Sequence, residues 1–350
     1  MASFPDVPQL ADALYNAGSV RESLEQYDKA IKIFGTYVKK FPDNEQSPDL
    51  IIKIAETHLK LKAYKKALKS YDSYLKKYSK TRPDMVPELH LRKAKIFQTI
   101  GGKRGTANAK INLEKVKRTY KKLKPELKRK PTVRHAMAQA LFELAEYKYQ
   151  AFENKAWPNF TKWGYREIRI FQKFVQEKAK LLSQAEKAYF DIVGEFKQWD
   201  VTAGALFRIA EGYYKFGTGF GKLPVPEGLN EDEIMEYETL IDELAFPIQE
   251  KSIEAAKRPL KLAQEKHVYN IWAQRAGQLL VKNDPGSFPI LSDEVVNSEW
   301  TVPSTFSTPF ITDPKAKLKQ VKPPPPKKKI DKLFFFTSQL FLNLFCNFFS

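Results

Sequence analysis

The sequence predicts an all-α fold: an α-solenoid of antiparallel helix pairs, followed by an extended C-terminal segment. Three observations predict it. Apolar residues recur at steps of three and four through most of the first 283 residues, the period of helices with one buried face. A pattern of small and large residues appears twice near the amino terminus, with Ala67 repeating the role of Ala30 after about one 34-residue repeat and a short loop extension. Beyond Asn283 the helical period stops and Ser, Thr, Pro and then Lys take over.

The first unit, residues 8–42, places Leu14, Ala17, Gly18, Tyr27, Ala30, Phe34, Tyr37 and Pro42 at fixed spacings. The second, residues 49–79, returns to the same spacings with Ile51, Ile54, Ala55, Tyr64, Ala67, Tyr71 and Tyr74. Small residues suit positions where two helices approach closely, and aromatic residues fill the gaps between them. One such unit cannot bury its own face, so units must stack. These spacings resemble the tetratricopeptide repeat (TPR), specifically over the first 80 residues and degenerately afterwards.

A third unit follows Pro87, with Leu89, Ala94, Phe97 and Ile100 on its first helix and a Gly101-Gly102 turn. Its second helix carries Ala109, Leu113, Val116, Tyr120 and Leu123 in one stripe, which Pro125 ends or kinks. Met137, Leu141, Leu144 and Ala145 make a further stripe, and residues 167–196 read as a long helix. Residues 205–216 recover the first-helix pattern in Leu206, Ile209, Ala210 and Tyr213, and the glycines from Gly217 are expected to stop it. Asn230 with Glu233 three residues on is a capping signature, opening a long helix in which Pro247 and Pro259 mark a start or a bend. The resulting organisation is TPR repeats over 1–130, diverged TPR-like helical repeats over 131–283, a Pro- and Lys-rich linker over 284–332, and a hydrophobic tail over 333–350, read as a membrane anchor or a non-native sequence.

Composition narrows the function. The chain has 350 residues, 43% of them hydrophobic, and a formal charge of +18, which favours acidic partners or surfaces. Its single cysteine, Cys346, excludes an intrachain disulfide and a thiolate zinc cluster. His58, His90, His135 and His267 form no ligand pair, so no metal site is expected, and no cofactor. The stretch 217–222 lacks the Gly and the Ser or Thr of a phosphate loop and follows a helix where a strand is required. Glu231, Asp232, Glu233, Glu236 and Glu238 crowd one helix end, where capping and solvation explain them. No enzyme activity is expected.

A protein-binding scaffold is the function these features support, with a basic nucleic-acid-binding repeat protein as the runner-up. The TPR resemblance implies a groove lined by outward positions of each first helix, here Tyr15, Asn16, Ser19, Lys53, Glu56, Lys60, Arg92, Lys95, Arg208, Glu211 and Lys215. Chaperone-binding members of that family carry Lys and Asn where Tyr15 and Ser19 stand, so that activity is not implied. Lys110, Lys117, Arg118, Lys121, Lys122, Lys128 and Arg129 form a basic patch, but without interleaved stacking residues it fits an acidic protein or an anionic lipid surface as well as a nucleic acid. Residues 203–272 further resemble the C-terminal part of large envelope and gliding-motility TPR proteins of myxobacteria and predatory bacteria. That resemblance implies other proteins of a bacterial cell-envelope complex as partners and a periplasmic or outer-membrane location, with the tail as a membrane contact. No signal peptide is readable at the amino terminus, and the alternative location is cytoplasmic.

Overall fold

The computed structural model describes residues 9–288, apart from 161, 163, 164, 195, 197, 268 and 269. Among the described residues every regular element is helical, and the helices pack mainly on their neighbours in the chain. Five antiparallel pairs form: α1 (Gln9–Ser23) with α2 (Tyr27–Lys40), α3 (Ser47–Lys60) with α4 (Tyr64–Tyr78), and α5 (Met85–Ile100) with α6 (Gly102–Lys122). After the single turn α7 (Pro125–Lys128) come α8 (Pro131–Glu153) with α9 (Tyr165–Val193) and α10 (Trp199–Phe220) with α11 (Glu231–Lys266), and α12 (Ile271–Asn283) is the last described helix. The expected all-α helix-pair solenoid is what the chain forms.

The first two pairs show why the repeat pattern folds this way. Ala30, Phe34, Ala55, Ala67, Tyr71 and Tyr74 are completely buried. A Cβ on Gly18 would lie closer than 3.0 Å to the Phe34 ring, so α1 can lie against α2 only with hydrogen at that position. The turns inside the first two pairs are closed by Glu25 and Lys62, both at positive φ, and the turn inside the third pair by Gly101 and Gly102 at φ 71° and 68°. From α5 onward one continuous core runs from Leu91 to Leu280 through every later helix except the single turn α7.

Three expectations change. The glycines after Phe216 do not stop α10, which continues through Gly217 and Gly219 to Phe220. Both are buried contacts: Gly217 lies against Gln249 and Ala245 of α11, and Gly219 lies under the Trp157 ring, where any Cβ would collide. Here glycine serves close approach instead of termination. Of the two readings of Pro247 and Pro259, a helix start or a bend, the start is excluded, since both lie inside α11, whose packing on α10 and α12 offsets the lost backbone bonds. In α8 the expected Met137 and Ala145 are buried, together with Ala138, Phe142, Tyr149 and Phe152, while the expected Leu141 and Leu144 are only partly buried. The cap at Asn230 forms as expected: its side chain accepts from the Glu233 backbone N–H, and the Glu233 carboxylate accepts from that of Asn230. No described helix is long and apolar enough to cross a membrane. The extended segment and linker beyond residue 288 and the tail over 333–350 lie outside the described residues.

Candidate functional site

The first helices α1, α3, α5, α8 and α10 carry all of the expected groove residues, and most of their charged side chains reach across to the next first helix. Glu22 of α1 meets Lys53 and Lys60 of α3, each at 3.0 Å. Burial raises the Glu22 carboxyl, but the hydrogen bonds and charges of the two lysines outweigh it and hold it below its ordinary value. One step along, Arg92 of α5 bonds Glu56 of α3 and, at 2.8 Å, Glu88 one turn back in its own helix. Between α5 and α8 the link is a neutral donor on a carboxylate, Gln98 to Glu143 at 2.9 Å.

The ladder is densest where α10 crosses α8. The Arg208 guanidinium donates to both oxygens of Glu146, each at 2.9 Å, and to Glu211 at 2.6 Å. The planar fork fits a carboxylate in two parallel bonds, a geometry a lysine lacks. Its faces lie near the rings of Tyr149 and Trp272, at 5.2 and 5.7 Å. Tyr149 donates to Glu211 at 3.0 Å, Tyr189 donates to Glu146, and Lys215 bridges Glu211 and Glu153. Burial raises the Glu211 carboxyl, yet Arg208 and Lys215 together bring it below its usual range. Tyr149 and Tyr189 are pushed far up by burial and by the carboxylates they bond, so both are neutral donors at every ordinary pH.

Of the expected groove residues, Lys53, Lys60, Glu56, Arg92, Arg208, Glu211 and Lys215 are thus tied to one another or to their neighbours. The Ser19 hydroxyl is buried without a hydrogen-bond partner in the protein. Tyr15 is half-buried beside the Lys53 ammonium, 5.8 Å from its ring centre. Asn16 and Lys95 are exposed, and among the described residues their side chains make no hydrogen bond or ion pair. The basic patch lies elsewhere, on α6 and α7. Lys110, Arg118, Lys121, Lys122 and Arg129 are exposed, whereas Lys117 pairs with Glu114 at 3.3 Å and Lys128 donates to the Lys121 carbonyl.

Sequence reasoning missed the acidic half of the ladder, Glu22, Glu143, Glu146 and Glu153, together with Tyr149 and Trp272. A readable local signal existed only for pairs within one helix, such as Glu88 with Arg92 and Arg208 with Glu211. No group of carboxylates, histidines or cysteines among the described residues is arranged to hold a metal ion.

No curated protein matches the sequence. Three solved structures align with it along most of its length. They are MamA protein (12% identity, 76% of this chain and 99% of that one, TM-score 0.35), a tetratricopeptide repeat protein from Parabacteroides merdae (14%, 79% and 99%, 0.31), and the TPR2AB domain of yeast Sti1 in complex with a pHSP90 peptide (14%, 79% and 100%, 0.34). The tetratricopeptide repeat family model matches residues 12–44 and 49–81, so the helix pairs α1–α2 and α3–α4 carry that repeat in sequence as well as in packing.

Proposed function

We propose that this chain is a protein-binding scaffold that receives a partner protein on its first-helix face and performs no chemistry of its own. The observation that supports this most is the ladder itself. By pairing Glu22, Glu56, Glu146 and Glu153 with cations on the next first helix, the chain fixes neighbouring pairs in one relative position. A partner then meets a preformed wall, and little ordering entropy is lost on binding. Asn16 and Lys95 present exposed polar groups on that face, and Tyr15, next to Asn16 on α1, offers a half-buried aromatic ring. Tetratricopeptide repeats generally bind other proteins, and two of them are present here.

The resemblance over residues 203–272 supports a finer reading, assembly of a bacterial cell-envelope complex at the periplasmic or outer-membrane side. Affinity capture of the tagged full chain, with and without nuclease, tests the main reading. A scaffold returns the same proteins in both, and N16R/K95E returns fewer of them at an unchanged melting temperature. Loss of the captured set on nuclease treatment would contradict it. Cell fractionation tests the location separately, and a chain recovered wholly with cytoplasmic markers contradicts the envelope reading.

A further inference from the structure

Met235 and Phe246 are the two most exposed large apolar side chains among the described residues, at 63% and 60%. Both lie on one exposed face of α11, at helical steps with Asp232, Asp242 and Glu250 and flanked by Glu236 and Glu243. None of these carboxylates is in an ion pair, and α11 has no basic residue before Lys251. The positive helix end accounts for acids in the first turn, up to Glu233, but not for those beyond it. A run of unpaired acids of one sign is a surface that an oppositely charged partner complements.

The complement of this stripe is on the same chain. On α6, Arg104, Lys115, Arg118 and Lys122 share one exposed face with Ile111, itself 52% exposed, and none of the four is in an ion pair. The only acid of α6, Glu114, is taken by Lys117. The two stripes cover residues 104–122 and 232–250, the same length, about 27 Å of helix each. They cannot meet within one molecule, because α8, α9 and α10 stand between α6 and α11 in the packing order.

We infer that the occupant of the acidic stripe on α11 is the basic stripe on α6 of a second copy of this chain. Laid side by side, the two helices pair opposite charges along their length and cover Met235, Phe246 and Ile111. Two different surfaces meet, so the contact is heterologous: an inner copy uses both stripes, each terminal copy keeps one free, and head-to-tail chains grow from there. One helix on another is a small interface, below about 1,200 Å², so association is weak and falls with salt.

Sedimentation velocity of the full chain tests this. The expected result is a mean mass that rises with protein concentration at about 0.1 M salt and returns to that of the monomer near 1 M. E236K/D242K/E243K and K115E/R118E/K122E should each stay monomeric where the natural chain associates, with unchanged circular dichroism. An equimolar mixture of the two should associate again, because the natural α6 of the first meets the natural α11 of the second and the two reversed stripes are complementary as well. A monomeric natural chain at all concentrations, association of either variant alone, or a mixture that stays monomeric would each overturn the inference. So would a basic stripe that binds phosphatidylserine vesicles in a chain that does not self-associate.

Discussion

Replacing Arg208 by Met removes the most heavily engaged cation of the first-helix face. The side chain is 21% exposed and its partner carboxylates on Glu146 and Glu211 are 17% and 19% exposed. The Met side chain keeps much of the packing against Tyr149 and Trp272, so the main loss is electrostatic. Two carboxylates are left half-buried, Glu146 keeping only the Tyr189 hydroxyl and Glu211 keeping Tyr149 and Lys215. Breaking a buried pair in this way costs about 3–5 kcal/mol, where an exposed pair costs less than about 1. Urea denaturation at pH 7 should show a loss in the larger range. At pH 4 the loss should shrink, because the abandoned carboxylates then protonate instead of remaining charged. R208M/E146Q should cost less than the sum of the single changes, with a coupling of about 1–3 kcal/mol. A loss under 1 kcal/mol with no dependence on pH would refute the claim that this cluster ties α8 to α10.

Two further predictions concern the packing that carries that face. Gly18→Ala should destabilise by about 1–3 kcal/mol, since its Cβ meets the fully buried Phe34 ring, whereas Gly35→Ala, with nothing within 4 Å, should stabilise by about 0.5–1 kcal/mol; thermal melts of the two variants decide it. Lys178 is 3% exposed, donates to the carbonyls of Phe152 and Lys155 that end and follow α8, and has its ammonium brought down by burial to about 8. Between pH 8 and 10.5 the unfolded chain keeps a proton that the folded chain has released. The natural chain should therefore gain up to about 3 kcal/mol relative to Lys178→Met over that window, and parallel stability profiles for the two would contradict this.

What the sequence made legible was local. The first two repeats, the Asn230 cap and the end of α12 at Asn283 are each written within one helix or one turn. The register of the first helices was readable too, which is why seven of the eleven expected groove residues lie on the ladder. Its acidic partners were not, because Glu146 and Arg208 are 62 residues apart and meet only after α8 and α10 have packed around α9. Gly219 misled for a related reason: a glycine that admits Trp157 and one that ends a helix look alike until the second chain segment is in place. Pro247 and Pro259 show tertiary packing overriding a strong local breaker, a balance that depends on α10 and α12 and not on α11 alone.

The central claim is that the first-helix face binds a protein. Photo-crosslinking side chains placed singly at Asn16, at Lys95 and, as an outer-face control, at the exposed Ser73 of α4 address it directly in the cells that express the chain. The account predicts discrete nuclease-resistant protein adducts from positions 16 and 95 and none of the same mass from position 73. Adducts from position 73 alone, or adducts that nuclease removes, would contradict it.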